Sequence, residues 1–163
     1  MQSQSTYIRI VDNINKVTIK IIALLSFAIF VSLVLQVFFR FVVNASLSWS
    51  EEVARYLTIW MVFLGVSIGV RRQSLIAVEV VVQSVRPRVR RVFRLVVAIL
   101  TIIFSVYLIV YGGMLVTEAD TEISIALQMP MWIAYFALLA GGVLSLMNAI
   151  AVMIETVAAK GVK

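Results

Sequence analysis

Apolar residues in this chain fall into four long blocks separated by short polar, acidic or basic stretches. The blocks run from about residue 17 to 43, 54 to 70, 92 to 116 and 130 to 154. Crossing a bilayer takes about 20 residues as a helix, so each block is read as one membrane span. The first is longer than a crossing needs, which a tilted helix accommodates. Val43-Asn44-Ala45 has the look of a small-residue cleavage site. The preceding apolar stretch is too long for a signal peptide core, so it is read as an uncleaved anchor. Residues 1–16 are mixed, with Tyr7, Ile8, Val11 and Ile14 on one side, and suggest a short amphipathic surface helix ahead of the first span.

The connections carry the next layer of pattern. Ser48-Trp49-Ser50-Glu51 fits a capping box opening the second span. Between the second and third spans, residues 74–86 are apolar except for a polar stripe. Glu79, Gln83, Arg86 and Arg90 step by helical intervals, and Pro87 would end such a helix. A strand there would leave its backbone unpaired at a lipid surface, so the segment reads as an interfacial amphipathic helix. Trp49, Trp60 and Trp132 are assigned as interfacial anchors, and Pro130 suits the first turn of the fourth span. Gly65 and Gly69 make a GxxxG step. Ala137, Gly141, Ser145 and Ala149 form a second stripe of small residues at helical spacing. Both are candidate faces for close helix packing.

Composition agrees with this reading. Of 163 residues, 63% are hydrophobic and only 13% charged, and mean hydropathy is +1.07. A soluble domain has about a quarter of its residues charged. The expected fold is therefore an all-α integral membrane protein, a single domain over residues 1–163. The net charge of +6 does not point to nucleic acid, because the bases lie between apolar blocks. They gather at the N-terminal end, in residues 71–94 and in the C-terminal tail, with Arg71 and Arg72 flanking the inner end of the second span. The positive-inside rule then places both termini in the cytoplasm.

Two arginines break that rule. Arg40 and Arg55 lie towards the outer side, together with Glu51 and Glu52. Glu51 and Glu52 are four and three residues before Arg55, within reach on a helix. A charge near hydrocarbon is costly unless paired or extended to the headgroups. The four residues are read as one neutral cluster holding the first span to the second, the alternative being separate headgroup-facing side chains.

Candidate chemistry is sparse. The chain has no Cys and no His. That leaves no thiolate metal site, His-ligated haem or histidine base. No acid lies in the middle of a span, where an ion-coupled carrier usually holds one. The reading is a non-enzymatic membrane subunit, with no metal and no cofactor. Its rivals are an autonomous four-span exporter acting as a dimer, and a membrane assembly factor.

The ordered set Arg40, Trp49, Glu51, Glu52, Arg55, Trp60, Gly65, Arg71 or Arg72, and Pro87 resembles the small, DctQ-type membrane subunit of tripartite ATP-independent periplasmic (TRAP) transporters. The chain departs from that pattern at Ser74 and Glu79, where such subunits often carry His and then Asp. The resemblance implies a bacterial inner-membrane location and a large partner subunit of about a dozen spans that moves substrate and sodium as an elevator. It also implies a periplasmic binding protein that delivers an organic acid, such as a dicarboxylate or sialic acid. In that setting this chain is a scaffold among phospholipids. The acids Glu118, Asp120 and Glu122 in its outer loop are candidates for touching the delivery protein.

Overall fold

A computed structural model describes residues 6–45, 47–72, 87–119 and 122–158. Four long helices make up nearly all of it: α1 (Thr6–Phe38), α2 (Ser48–Arg72), α3 (Pro87–Glu118) and α4 (Trp132–Ala158). Each contains a stretch long and apolar enough to cross a membrane. The chain is thus an all-helical membrane protein. The 74–86 segment and the ends of the chain lie outside the described residues, as do Asp120, Lys160 and Lys163.

The helix limits correct the expected spans in three places. Residues 6–16 do not form a separate surface helix. From Thr6 they continue without a break into the first span. The stripe begun by Ile8 and Val11 extends through Asn15 and Thr18, and all four are buried. Burying that stripe against other helices removes the reason for it to lie flat on a membrane. At 33 residues, α1 is about 50 Å long, more than the hydrocarbon is thick. Its far end widens into a π-turn at Phe39–Val43 and stops at Asn44, whose positive φ of 54° Asn tolerates well.

The capping box is absent for a local reason. Ser48 is already helical, so it cannot serve as the cap. Ser50 instead donates from its hydroxyl to the Leu47 carbonyl, at 2.7 Å. The fourth helix starts at Trp132 rather than Pro130. Pro130 pairs with Ile123 in an antiparallel bridge that closes a small hairpin. Pro87, by contrast, opens α3 as its first residue, where its missing N–H costs nothing.

The helices pack in the order α1, α2, α4, α3. Of their most apolar windows, 44% of α4's residues are buried against none of α1's. The hub is therefore the last helix. Its stripe of small residues explains why: Ala137, Gly141, Ser145 and Ala149 are all buried. A methyl group on Gly141 would stand 2.7 Å from Phe63 Cβ on α2. One on Gly142 would stand 3.1 Å from Leu108 Cβ on α3. Adjacent glycines thus admit helices on two sides of α4. Gly65 behaves differently, since a methyl group there would meet nothing within 4 Å. Within this chain its face is open.

The two glycines should therefore respond in opposite ways. Gly141→Ala should lower stability by about 1–3 kcal/mol, because Phe63 meets it with Cβ and backbone and not with a flexible tip. Gly65→Ala should be neutral or gain up to about 1 kcal/mol from helix propensity. Thermal unfolding of the purified chain in detergent, followed by circular dichroism, measures both.

Candidate functional site

The best-defined polar constellation joins α1, α2 and α4 at one end. Arg71, in the last turn of α2, donates from Nε to Asp12 Oδ1 at 2.9 Å. Its Nη1 and Nη2 each donate to one oxygen of Glu155 at 2.7 Å. The planar guanidinium matches a carboxylate in this two-bond geometry, and a lysine could not. The Arg71 side chain is only 16% exposed, while those of Asp12 and Glu155 are 37% and 38% exposed. The cation is thus enclosed and the acids reach partly outward. Asp12 lies in the second turn of α1, so the tie depends on the helix beginning this far ahead of the first span.

One turn further along α1 and α2, and two turns along α4, lies a second, uncharged layer. Asn15 and Asn148 exchange hydrogen bonds through their side-chain amides, at 2.7 and 3.1 Å. Asn148 also donates to the Ser67 carbonyl at 2.8 Å. Asn15, Ser67 and Asn148 are all buried. Each layer therefore takes one residue from each of the same three helices. Buried amides left unbonded would be costly, so the layer is satisfied in one register of the helices. Beside it, Tyr7 donates to the Met147 carbonyl at 2.9 Å. Arg91 at the start of α3 donates to the Thr156 carbonyl at 2.7 Å, near the end of α4, where unpaired carbonyls favour a cation.

At the opposite end, the expected Arg40, Glu51, Glu52 and Arg55 cluster divides into three parts. Glu51 and Arg55 lie 3.6 Å apart with both side chains about two-thirds exposed, a contact of little energetic weight. Glu52 turns to the 122–131 hairpin, where Oε2 accepts from the Ala126 and Leu127 amides at 3.0 and 2.8 Å. Arg40 is exposed on the π-turn, 5.8 Å from the Phe41 ring, and no ion pair joins it among the described residues. The reason is geometric. The turn between α1 and α2 leaves Glu52 facing a loop from much later in the chain.

Other assigned residues are placed as follows. Trp49 and Trp132 are partly exposed at the starts of α2 and α4. Trp60 lies three turns into α2, donates to the Ile133 carbonyl at 3.1 Å and stacks near Phe136. It thereby ties α2 to α4. Arg72 is exposed, as are Glu118 and Glu122, and Gly69 is half-buried. Asp12, Asn15, Asn148 and Glu155 went unrecognised in the sequence. The available signal was acid where the pattern is basic, since Asp12, Glu79 and Glu155 are the acids among the basic segments. Chemically, these groups lock helices together. No group of three His, Cys, Asp or Glu able to hold a metal occurs among the described residues.

Residues 29–159 match the family model described as tripartite ATP-independent periplasmic transporters, DctQ component. A Haemophilus influenzae protein named for a TRAP transporter small permease is 28% identical over 127 residues, covering 77% of this chain and 76% of that protein. The Vibrio cholerae C4-dicarboxylate TRAP transporter small permease protein DctQ is 31% identical over 75 residues, 46% of this chain and 32% of its own length. The sialic acid TRAP transporter permease protein SiaT of Haemophilus influenzae is 29% identical over 86 residues, 53% of this chain and 14% of its own.

If Arg71 is the tie, its partners should matter unequally. Glu155→Ala should destabilise the detergent-solubilised chain by about 1–3 kcal/mol by leaving an enclosed guanidinium under-bonded. Asp12→Ala should cost less, since the two-bond contact survives. Adding Arg71→Met to Glu155→Ala should recover part of the loss, because the orphaned cation is gone. A thermal melt of Glu155→Ala that overlays the parent would show that the contact has no structural role.

Proposed function

Because the chain belongs to the DctQ component family of tripartite ATP-independent periplasmic transporters, and is a small permease subunit of such a system, we propose that it is the stationary scaffold of its transporter. It packs against a large membrane subunit that carries substrate and sodium by an elevator movement. A periplasmic binding protein delivers the substrate, an organic acid of the dicarboxylate or sialic acid kind. The subunit is a single membrane domain in the bacterial inner membrane, with both termini cytoplasmic and the 74–86 segment lying in the inner interface.

The observation that carries this reading is the contrast between a tied frame and uncovered faces. Arg71 holds three helices at one end, and Trp60 and Glu52 hold the other. Yet Leu24, Phe27 and Phe30 on α1 are exposed, as are Leu100, Ile103 and Phe104 on α3. Such faces suit lipid on one side and a large apolar partner on another. A moving subunit needs a rigid neighbour, and the polar layers supply rigidity. Arg40 is assigned to phospholipid headgroups, which an exposed guanidinium at the end of a span can reach. Glu118, Asp120 and Glu122 are assigned to the water-facing side where the binding protein docks.

Isolation of the tagged chain from its native membrane in mild detergent tests the proposal. A many-span membrane protein should co-purify in fixed proportion, and loss of this chain should abolish uptake of the substrate by cells. Recovery of the chain alone as a stable dimer, or transport by it alone in liposomes, would sink the scaffold reading.

A further inference from the structure

The face of α1 opposite its buried stripe carries a pattern that helix packing does not use. Arg9, Asn13, Lys16 and Lys20 are spaced by four, three and four residues, so they stand on one face, and all four are exposed. The row is about 16 Å long. Ile8, Val11, Asn15 and Thr18, on the other side of the same turns, are buried. The packing of the helix therefore holds the basic row outward.

Nothing in the helix neutralises this row. Asp12 is the one acid between residues 6 and 43, and it is turned to Arg71. No ion pair reaches Arg9, Lys16 or Lys20 among the described residues. Like charges along one row repel, and an anion lying against them relieves that cost. Bases that merely orient a chain in a membrane need no common face.

Apolar side chains run beside the row. Ile10, Val17, Ile21 and Leu24 are exposed on the adjoining face of the helix. The most apolar window of α1 has no buried residue. Lys20 itself belongs to the apolar block that begins at Val17. Basic and apolar edges side by side on exposed helical turns are the mark of a membrane interface.

The ligand that suits both edges has a negative head and hydrocarbon tails. An acidic protein in water would match the cations but not Leu24, which lies within a span. Free phosphate would leave the apolar edge uncovered. A zwitterionic lipid would bring its own cation to a row that already holds three.

We propose that the first four turns of α1 bind anionic phospholipid. Arg9, Lys16 and Lys20 hold headgroup phosphates along the row, and the tails lie against Val17, Ile21 and Leu24. The inference rests on the helical membrane fold and not on the transporter reading, so a failed co-purification would leave it standing.

Native mass spectrometry of the full chain, released from detergent with phosphatidylglycerol or phosphatidylcholine of identical tails, tests it. The parent should retain phosphatidylglycerol in preference to phosphatidylcholine. One base near an anionic lipid surface is worth about fivefold in affinity. Lys16→Gln should therefore weaken phosphatidylglycerol retention about fivefold, and Arg9→Gln with Lys16→Gln and Lys20→Gln should abolish the preference. Lys16→Arg should keep it, as should Arg55→Gln, the same charge change as Lys16→Gln at the far end of the molecule. Equal retention of the two lipids by the parent would overturn the proposal, whether or not the triple variant folds. So would equal losses in Lys16→Gln and Arg55→Gln, which would report net charge alone. Displacement of phosphatidylglycerol by excess inorganic phosphate would also overturn it, marking a site for a free anion.

Discussion

Arg71 is the constraint on which the rest of this structure depends. It stands at the end of a membrane helix, where a cation left enclosed and unpaired is costly. Three of its N–H groups are used by Asp12 and Glu155. Those bonds set how far α1 extends past α2, and they bring the end of α4 to the same level. The neighbouring asparagine layer repeats the restriction without charge. In a bilayer, apolar contact alone discriminates poorly between registers, because lipid tails are as apolar as the helices. Two polar layers of fixed geometry supply that discrimination.

Close packing and openness are divided between parts of the molecule. The middle of α4 gains its contacts through small residues, with Gly141 and Gly142 admitting α2 and α3 on neighbouring sides. The outer part of α1 makes no comparable contact and presents phenylalanine and leucine outward. A subunit built this way is firm in its own centre and leaves much apolar surface for its surroundings. That division fits a membrane partner better than a self-contained machine.

The two ends of the molecule differ in how well the sequence foretold them. The stripe at 137, 141, 145 and 149 was legible because a helix brings every fourth residue to one face, and all four are buried. The ion pair between Glu51 and Arg55 was legible for the same reason. Glu52, one residue along, was not, since its partners are 74 and 75 residues away. Sequence proximity alone joins Arg40 to the acids, and the turn does not bring them together. Residues 6–16 suggest a surface helix because an amphipathic stripe looks the same whether it meets a membrane or other helices.

By itself, the sequence determined the membrane class, four apolar helices, the small-residue face of the last one and the family. The first three follow from composition, from the length of hydrocarbon to be crossed and from the period of the helix, all of which are local; the family follows from the resemblance of the ordered residues between 40 and 87. Only the tertiary structure decided which charges meet, that Trp60 joins two helices, and that an acid on α2 holds a hairpin beyond α3. Those contacts join residues 59 to 84 positions apart, and helical periodicity carries no information about where the chain returns.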